Sequence, residues 1–222
     1  MDTTRPDDAP SADEHTAGSR SPLVEHVAVA LLAITAVLTA WSGFEASKWS
    51  GEMSISFSRA STQRIEASRE ATTAEAARAV DLQVFGIWLE ATSEGNHELA
   101  EFARERFTDH FAPAFDEWLA TRPLKNPDAP RSPFAMDSYV PPGRVEAAEA
   151  DARADAYFAD ALADNQRGDN YTLLTVLFAL VLFFGALSNR FGSERKSWTI
   201  LVGAGVLLLV GVGLLIFFPK II

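Results

Sequence analysis

The sequence predicts an all-α membrane protein: three transmembrane helices, with a helical stalk domain inserted between the first and second. Three observations carry that expectation. Val24 to Gly43, Tyr171 to Ser188 and Trp198 to Phe218 are apolar runs of 20, 18 and 21 residues, close to the roughly 20 that a hydrocarbon core of about 30 Å demands. Glu25, at one rim, is the single charge inside them. The 127 residues from Phe44 to Asn170 are polar and acidic, with 13 Lys and Arg against 23 Asp and Glu, net −10, and so hold nearly all of the chain's −11. Ala, Glu, Arg and Gln abound in that segment, and no proline follows the first span until Pro113, so its first half favours helix.

The elements follow in order. Residues 1–22 form an acidic tail of Asp, Pro, Ser, Thr and Ala without apolar periodicity, which we read as disordered. The first span, 23–43, lacks a basic flank before it and a small-residue cleavage site after it, so it reads as an uncleaved signal anchor. Its helix should continue out of the bilayer from Leu23 to about Ser93, where Gly95 and Asn96 supply a left-handed stop and the cap of the next helix. That second helix carries a stripe of Leu99, Phe102, Ala103, Phe107, Phe111, Phe115 and Trp118 or Leu119. Prolines crowd the loop 123–142 and forbid a regular element there. From Arg144 a helix resumes and runs into the second span, 171–188, with Val145, Ala148, Ala152, Phe158 and Leu162 roughly on one side. A basic link, 189–197, joins it to the third span, 198–218.

Arg190, Arg195 and Lys196 outnumber Glu194 in that link and place it in the cytoplasm by the positive-inside rule. The 44–170 domain is then extracytoplasmic. Its middle is poor in large apolar groups, Ile65 alone between Ser58 and Ala79, which suggests that it self-associates.

Several chemistries are excluded or disfavoured. The chain has no cysteine, which removes disulfides, thiolate metal sites and cysteine nucleophiles. An acidic surface repels phosphate backbones, so no nucleic acid is expected as a partner. Glu94 and His97 have the spacing of a carboxylate-bridged metal pair, but Gly95 and Asn96 break the helix between them and no second such pair occurs. His110 reads as a satisfied core histidine. No nucleophile elbow or Gly-rich phosphate loop is present, and no cofactor is implied.

The most distinctive local pattern is the repeat of Trp41-Ser42-Gly43 as Trp49-Ser50-Gly51. Trp41 and Trp49 suit the interfacial belt, and Gly43, Ser47 and Gly51 make a ladder of small residues that permits close helix contact. Glu45, Lys48, Asp169 and Tyr171 cluster at the same membrane surface, where a Lys48 to Asp169 salt bridge would anchor two helices. The alternative is an ion or proton site at Glu45, Lys48 and Asp169, as in a channel or transporter component. In the proline-rich loop, Phe134, Met136 and Tyr139 are the candidate interaction residues.

The run Phe111 to Phe115 through Trp118, Asn126-Pro127-Asp128-Ala129-Pro130, Pro133 to Met136, Tyr139, then Asn165, Gln166, Asp169, Tyr171 and Thr175 resembles an uncharacterised family of small bacterial three-span membrane proteins. The likeness covers Ala40 to Phe184 and departs at the acidic tail. It implies a bacterial inner membrane and no particular activity. The sequence thus points to a non-enzymatic assembly or interaction module in the lipid bilayer, a homo-oligomer able to meet a further membrane protein.

Overall fold

The computed structural model describes residues 22–123, 125–188, 190 and 194–221. The acidic tail ahead of Pro22, and Asn189 and residues 191–193 of the basic link, lie outside them. The described residues form α-helices and turns, with no strand among them.

Helix α1 runs unbroken from Pro22 to Ser93, 72 residues. Pro22 suits a first turn, where its missing N–H leaves no partner wanting, and no proline interrupts the interior. The helix closes at Gly95, whose φ is +72°. There the Asn96 N–H donates to Ala91 O at 2.9 Å and the Gly95 N–H to Thr92 O at 3.3 Å, the paired bonds of a Schellman closure. The Asn96 side chain then accepts the Leu99 N–H at 3.1 Å and caps α2, His97–Arg104.

The expected single helix beyond that cap is instead two. α3, Ala112–Ala120, is separated from α2 by turns at 105–111. Pro113 explains the break, because in a continuous helix its ring would strike the carbonyl of Asp109 and could offer it no N–H. The apolar stripe is split accordingly: Leu99 and Phe102 are exposed, while Phe111, Phe115 and Trp118 are buried. The proline-rich stretch is irregular apart from one 3₁₀ turn at Pro133–Ala135. α4 runs from Arg144 to Ser188 and α5 from Glu194 to Phe217. α1, α4 and α5 are each long and apolar enough to cross a membrane.

The chain divides into two compact units. One comprises residues up to Ser50 with those from Asn165 onward. Here α4 is antiparallel to both its neighbours: Gly185 meets Leu31 and Leu32, Gly168 meets Ala46 and Trp49, and Gly211 lies against Phe178. A Cβ at position 211 would stand 2.5 Å from the Phe178 ring, so the missing side chain is what admits that ring. Residues 44–50 and 165–170, expected in the polar domain, belong to this unit because Glu45, Trp49 and Gly168 are buried in it.

The other unit is Gly51–Asp164. Within it α1 and α4 again run antiparallel, with Phe57 against Phe158, Arg64 against Asp151 and Asp155, and Glu70 against Gly143. The contact faces are lined by small residues: Ser56, Ala60 and Ala67 on α1, and Ala150, Ala154 and Ala161 on α4. Of the residues expected roughly on one side of α4, Val145, Phe158 and Leu162 are 50%, 47% and 52% exposed, and Phe158 still meets Phe57 edge-on. Alanines let two backbones approach closely, and bulky groups at those positions would hold the helices apart. The distal end is closed by eight aromatic rings, Phe85 and Trp88 from α1 with Phe107, Phe111, Phe115, Trp118, Phe134 and Tyr139.

Candidate functional site

Among the described residues, each unit contains a carboxylate under 2% exposed with a distinctive set of partners. In Gly51–Asp164 it is Asp81, 1% exposed. Asp81 lies on the small-residue face of α1, so it is delivered to the interior at the point where the turns at 105–111 and the proline-rich loop fold back. Thr108 Oγ1 donates to Asp81 Oδ1 at 2.6 Å, and Tyr139 OH donates to Oδ2 at 2.9 Å. His110 Nε2 lies 2.7 Å from Oδ2 and 3.2 Å from the Thr108 hydroxyl. One carboxylate therefore ties three chain segments that are far apart in sequence.

Burial raises the Tyr139 hydroxyl pKa well above its ordinary value, with the Asp81 carboxylate adding to the effect and Arg78 and Arg144 opposing it. The cluster does not have the geometry of a nucleophilic triad. In a triad one imidazole nitrogen faces the acid and the other faces the nucleophile. Here the same nitrogen of His110 faces both Asp81 and Thr108, and the Thr108 hydroxyl spends its proton on Asp81.

The loop residues proposed for contact serve this interior. Tyr139 is 2% exposed, and Phe134 and Met136 are half-buried against the aromatic cluster. Phe134 stacks on Phe111 at 5.0 Å and meets Tyr139 edge-on at 5.1 Å. Trp118 Nε1 donates to Pro130 O at 2.8 Å and fastens the other arm of the loop. Offset and edge-on ring pairs of this kind add about 0.5–1.5 kcal/mol each beyond their buried area.

In the other unit the buried carboxylate is Glu45, with no exposed surface. Oε2 accepts the Ile221 N–H at 3.1 Å. Oε1 has no hydrogen-bond partner, nor have the buried Ser42 Oγ and Trp49 Nε1 on the same helix face. Tyr171, also fully buried, donates its hydroxyl to Pro219 O at 2.9 Å and packs edge-on against Phe218.

The two Trp-Ser-Gly triplets have different surroundings. Eight residues at about 100° each leave the second copy rotated by roughly 80° from the first. Trp41 is 42% exposed beside Phe44, whereas Trp49 is buried with the Arg167 guanidinium 4.7 Å from its ring centre. Gly43, Ser47 and Gly51 face outward, and a Cβ at either glycine would meet nothing within 4 Å. The expected Lys48 to Asp169 salt bridge is not among the ion pairs of the described residues. Ser42, Glu45 and Trp49 mark the buried face of α1, and Lys48 lies about 90° away from its centre. Asp169 is turned away on α4 and accepts from Asn165 Nδ2 at 3.2 Å.

Sequence reasoning singled out Glu45, Tyr171 and Tyr139 but passed over Asp81, Thr108 and Ser42. The available signal was spacing: Ala60, Gln63, Ala67, Glu70, Ala74, Ala77 and Asp81 alternate by three and four, which puts the acid in line with a stripe of contact residues. No family model, no curated protein and no solved structure matches this chain.

Proposed function

We propose that the chain is a non-enzymatic, three-span protein of a bacterial inner membrane, with an extracytoplasmic helical domain inserted between the first and second spans that acts as an assembly or interaction module. The observation that carries it is the inverted packing of α1 and α4. Alanines fill most of their contact, while Ile55, Ile65 and Leu162 remain about half exposed. Burial of such side chains stabilises by roughly 25 cal/mol per Å², so contact between copies has more to offer than the alanine face within one copy. The occupant we assign to these outer faces is a second copy of the chain. Light scattering in nanodiscs should return a protein mass that is a multiple of 24.1 kDa, reduced to one copy by Ile65→Glu with Leu162→Glu. A monomeric wild type sinks this reading.

The wholly buried Glu45, with Oε1 and the neighbouring Ser42 Oγ unpartnered, favours a second reading: a channel or transporter component with its polar site at Glu45. Cation flux into reconstituted liposomes, abolished in Glu45→Ala, would support it. Liposomes as tight as empty vesicles would end it.

A further inference from the structure

Beside the Tyr139 ring, at the edge of the aromatic cluster, the Gly51–Asp164 unit has a cavity of about 390 Å³. Its walls include Glu75, Arg78, Phe134, Tyr139, Pro141 and Arg144, with three alanines completing them. The charges here run against the surroundings. The unit holds 11 Lys and Arg against 21 Asp and Glu, so a carboxylate partner is abundant for any arginine. Arg64 takes two, and Arg69, Arg104, Arg106 and Arg153 take one each. Arg59, Arg78, Arg122, Lys125, Arg131 and Arg144 form no ion pair among the described residues, and of these six Arg78 and Arg144 line this cavity.

Their positions are set by other contacts. The Arg144 guanidinium donates to Tyr139 O at 2.9 Å, and that of Arg78 lies 5.9 Å from the centre of the Phe134 ring. Both charges are felt at the Tyr139 phenol between them. Arg144 also opens α4, so the positive end of a 45-residue helix adds to the same potential. Glu75 shares the cavity, Glu70 lies beside Gly143, and Glu146 follows in the first turn of α4.

We propose that this cavity binds a small organic monocarboxylate, its carboxylate held by Arg78 and Arg144 and its apolar body laid against Phe134, Pro141 and the alanines. Guanidinium groups match a carboxylate through paired N–H donors, and such charge-assisted bonds are about twice as strong as neutral ones. The volume lies at the small end of the range for ligand pockets, roughly 300–1,000 Å³, which selects a compact ligand. Glu75 selects for one negative charge, since a second carboxylate in the same space would meet it. The assignment goes beyond self-association and stands whether or not the protein is oligomeric.

Calorimetric titration of the full-length protein in nanodiscs, with sodium phenylacetate as probe, tests it. Wild type should bind at or below about 10 mM, and Arg78→Gln should weaken binding about tenfold or more with its thermal melt unchanged, because Arg78 makes no hydrogen bond that the fold needs. Glu75→Gln should admit phenylmalonate, which wild type refuses. Arg144→Gln should weaken phenylacetate similarly; should it fail to fold, Arg78→Gln decides alone. No binding by wild type, equal binding by Arg78→Gln, or inorganic phosphate binding as well as phenylacetate would each overturn the proposal.

Discussion

A buried carboxylate stabilises a fold only while its donors stay aimed at it, and Asp81 has Thr108, His110 and Tyr139 on its two oxygens. Removing the acceptor strands the buried Tyr139 hydroxyl and leaves Thr108 and His110 with only each other, whereas removing one donor leaves the acceptor two. Asp81→Ala should therefore cost about 3 kcal/mol and Tyr139→Phe about 1 kcal/mol, measured as shifts in chemical unfolding followed by Trp88 and Trp118 fluorescence. The Tyr139 hydroxyl holds its proton more tightly in the folded chain than in the unfolded one. Its contribution is complete below the unfolded value near pH 10 and is lost as pH rises from there through the folded value. Wild-type stability should decline more steeply above about pH 10 than that of Tyr139→Phe; equal slopes would show that the phenol is not so held. Gly143 is a separate constraint. Its φ is +83°, and a Cβ there would stand 2.4 Å from the Glu70 carbonyl oxygen. Gly143→Ala meets both the left-handed backbone and a clash with another helix's main chain, and should cost more than the roughly 1 kcal/mol of the backbone term alone.

At the scale of elements, the α1 and α4 contact works by being thin. Ala60, Ala67, Ala150, Ala154 and Ala161 are each under 10% exposed, so a larger group at any of them must push two backbones apart. Ala154→Leu should destabilise the Gly51–Asp164 unit by about 1–3 kcal/mol, while Leu162→Ala, on an exposed face, should leave a single copy's stability nearly unchanged. A melt in which both variants behave alike would mean that the alanine face is not the contact. These same helices show which parts of the fold could be read in advance. The ends of α1 were legible because they are written locally, in a long proline-free run and in the Gly95 and Asn96 stop. The start of α4 after the prolines was legible for the same reason. The break between α2 and α3 was not: apolar spacing continues across it, and Pro113 had to be weighed against the stripe. The alanine face of α4 was not legible as its contact with α1, because hydrophobic periodicity looks for large side chains, and here most of the contact is made of small ones. Of the site residues, Glu45 and Tyr171 were legible as polar groups beside an apolar span. Asp81 was not, since its donors come from positions 27 to 58 residues away.

For the whole molecule, charge decides what geometry alone does not. A unit with net charge −10 repels its own copies, and in the proposed homo-oligomer short-range apolar contact has to outweigh that repulsion. Screening falls to about 10 Å at 0.1 M salt and about 3 Å at 1 M, so self-association should strengthen as salt is added, opposite to an interface held by ion pairs. The side of the membrane proposed for that acidic unit rests on a different asymmetry. Arg190, Arg195 and Lys196 lie in a short link, where basic residues govern orientation, while the charges of 44–170 belong to a long segment, of a kind that crosses largely regardless of charge. The absence of cysteine makes this directly measurable, because each introduced thiol is the only one in the chain. Asp128 and Lys196 are both exposed, so substitution at either disturbs no packing. In intact bacterial spheroplasts a membrane-impermeant maleimide should label Asp128→Cys and leave Lys196→Cys unlabelled until the membrane is opened with detergent. The reverse pattern would invert the protein in the membrane, placing the acidic unit and its Arg78 and Arg144 cavity in the cytoplasm; labelling of both thiols before detergent would mean that the link and the domain share one side, which three spans in this order do not allow.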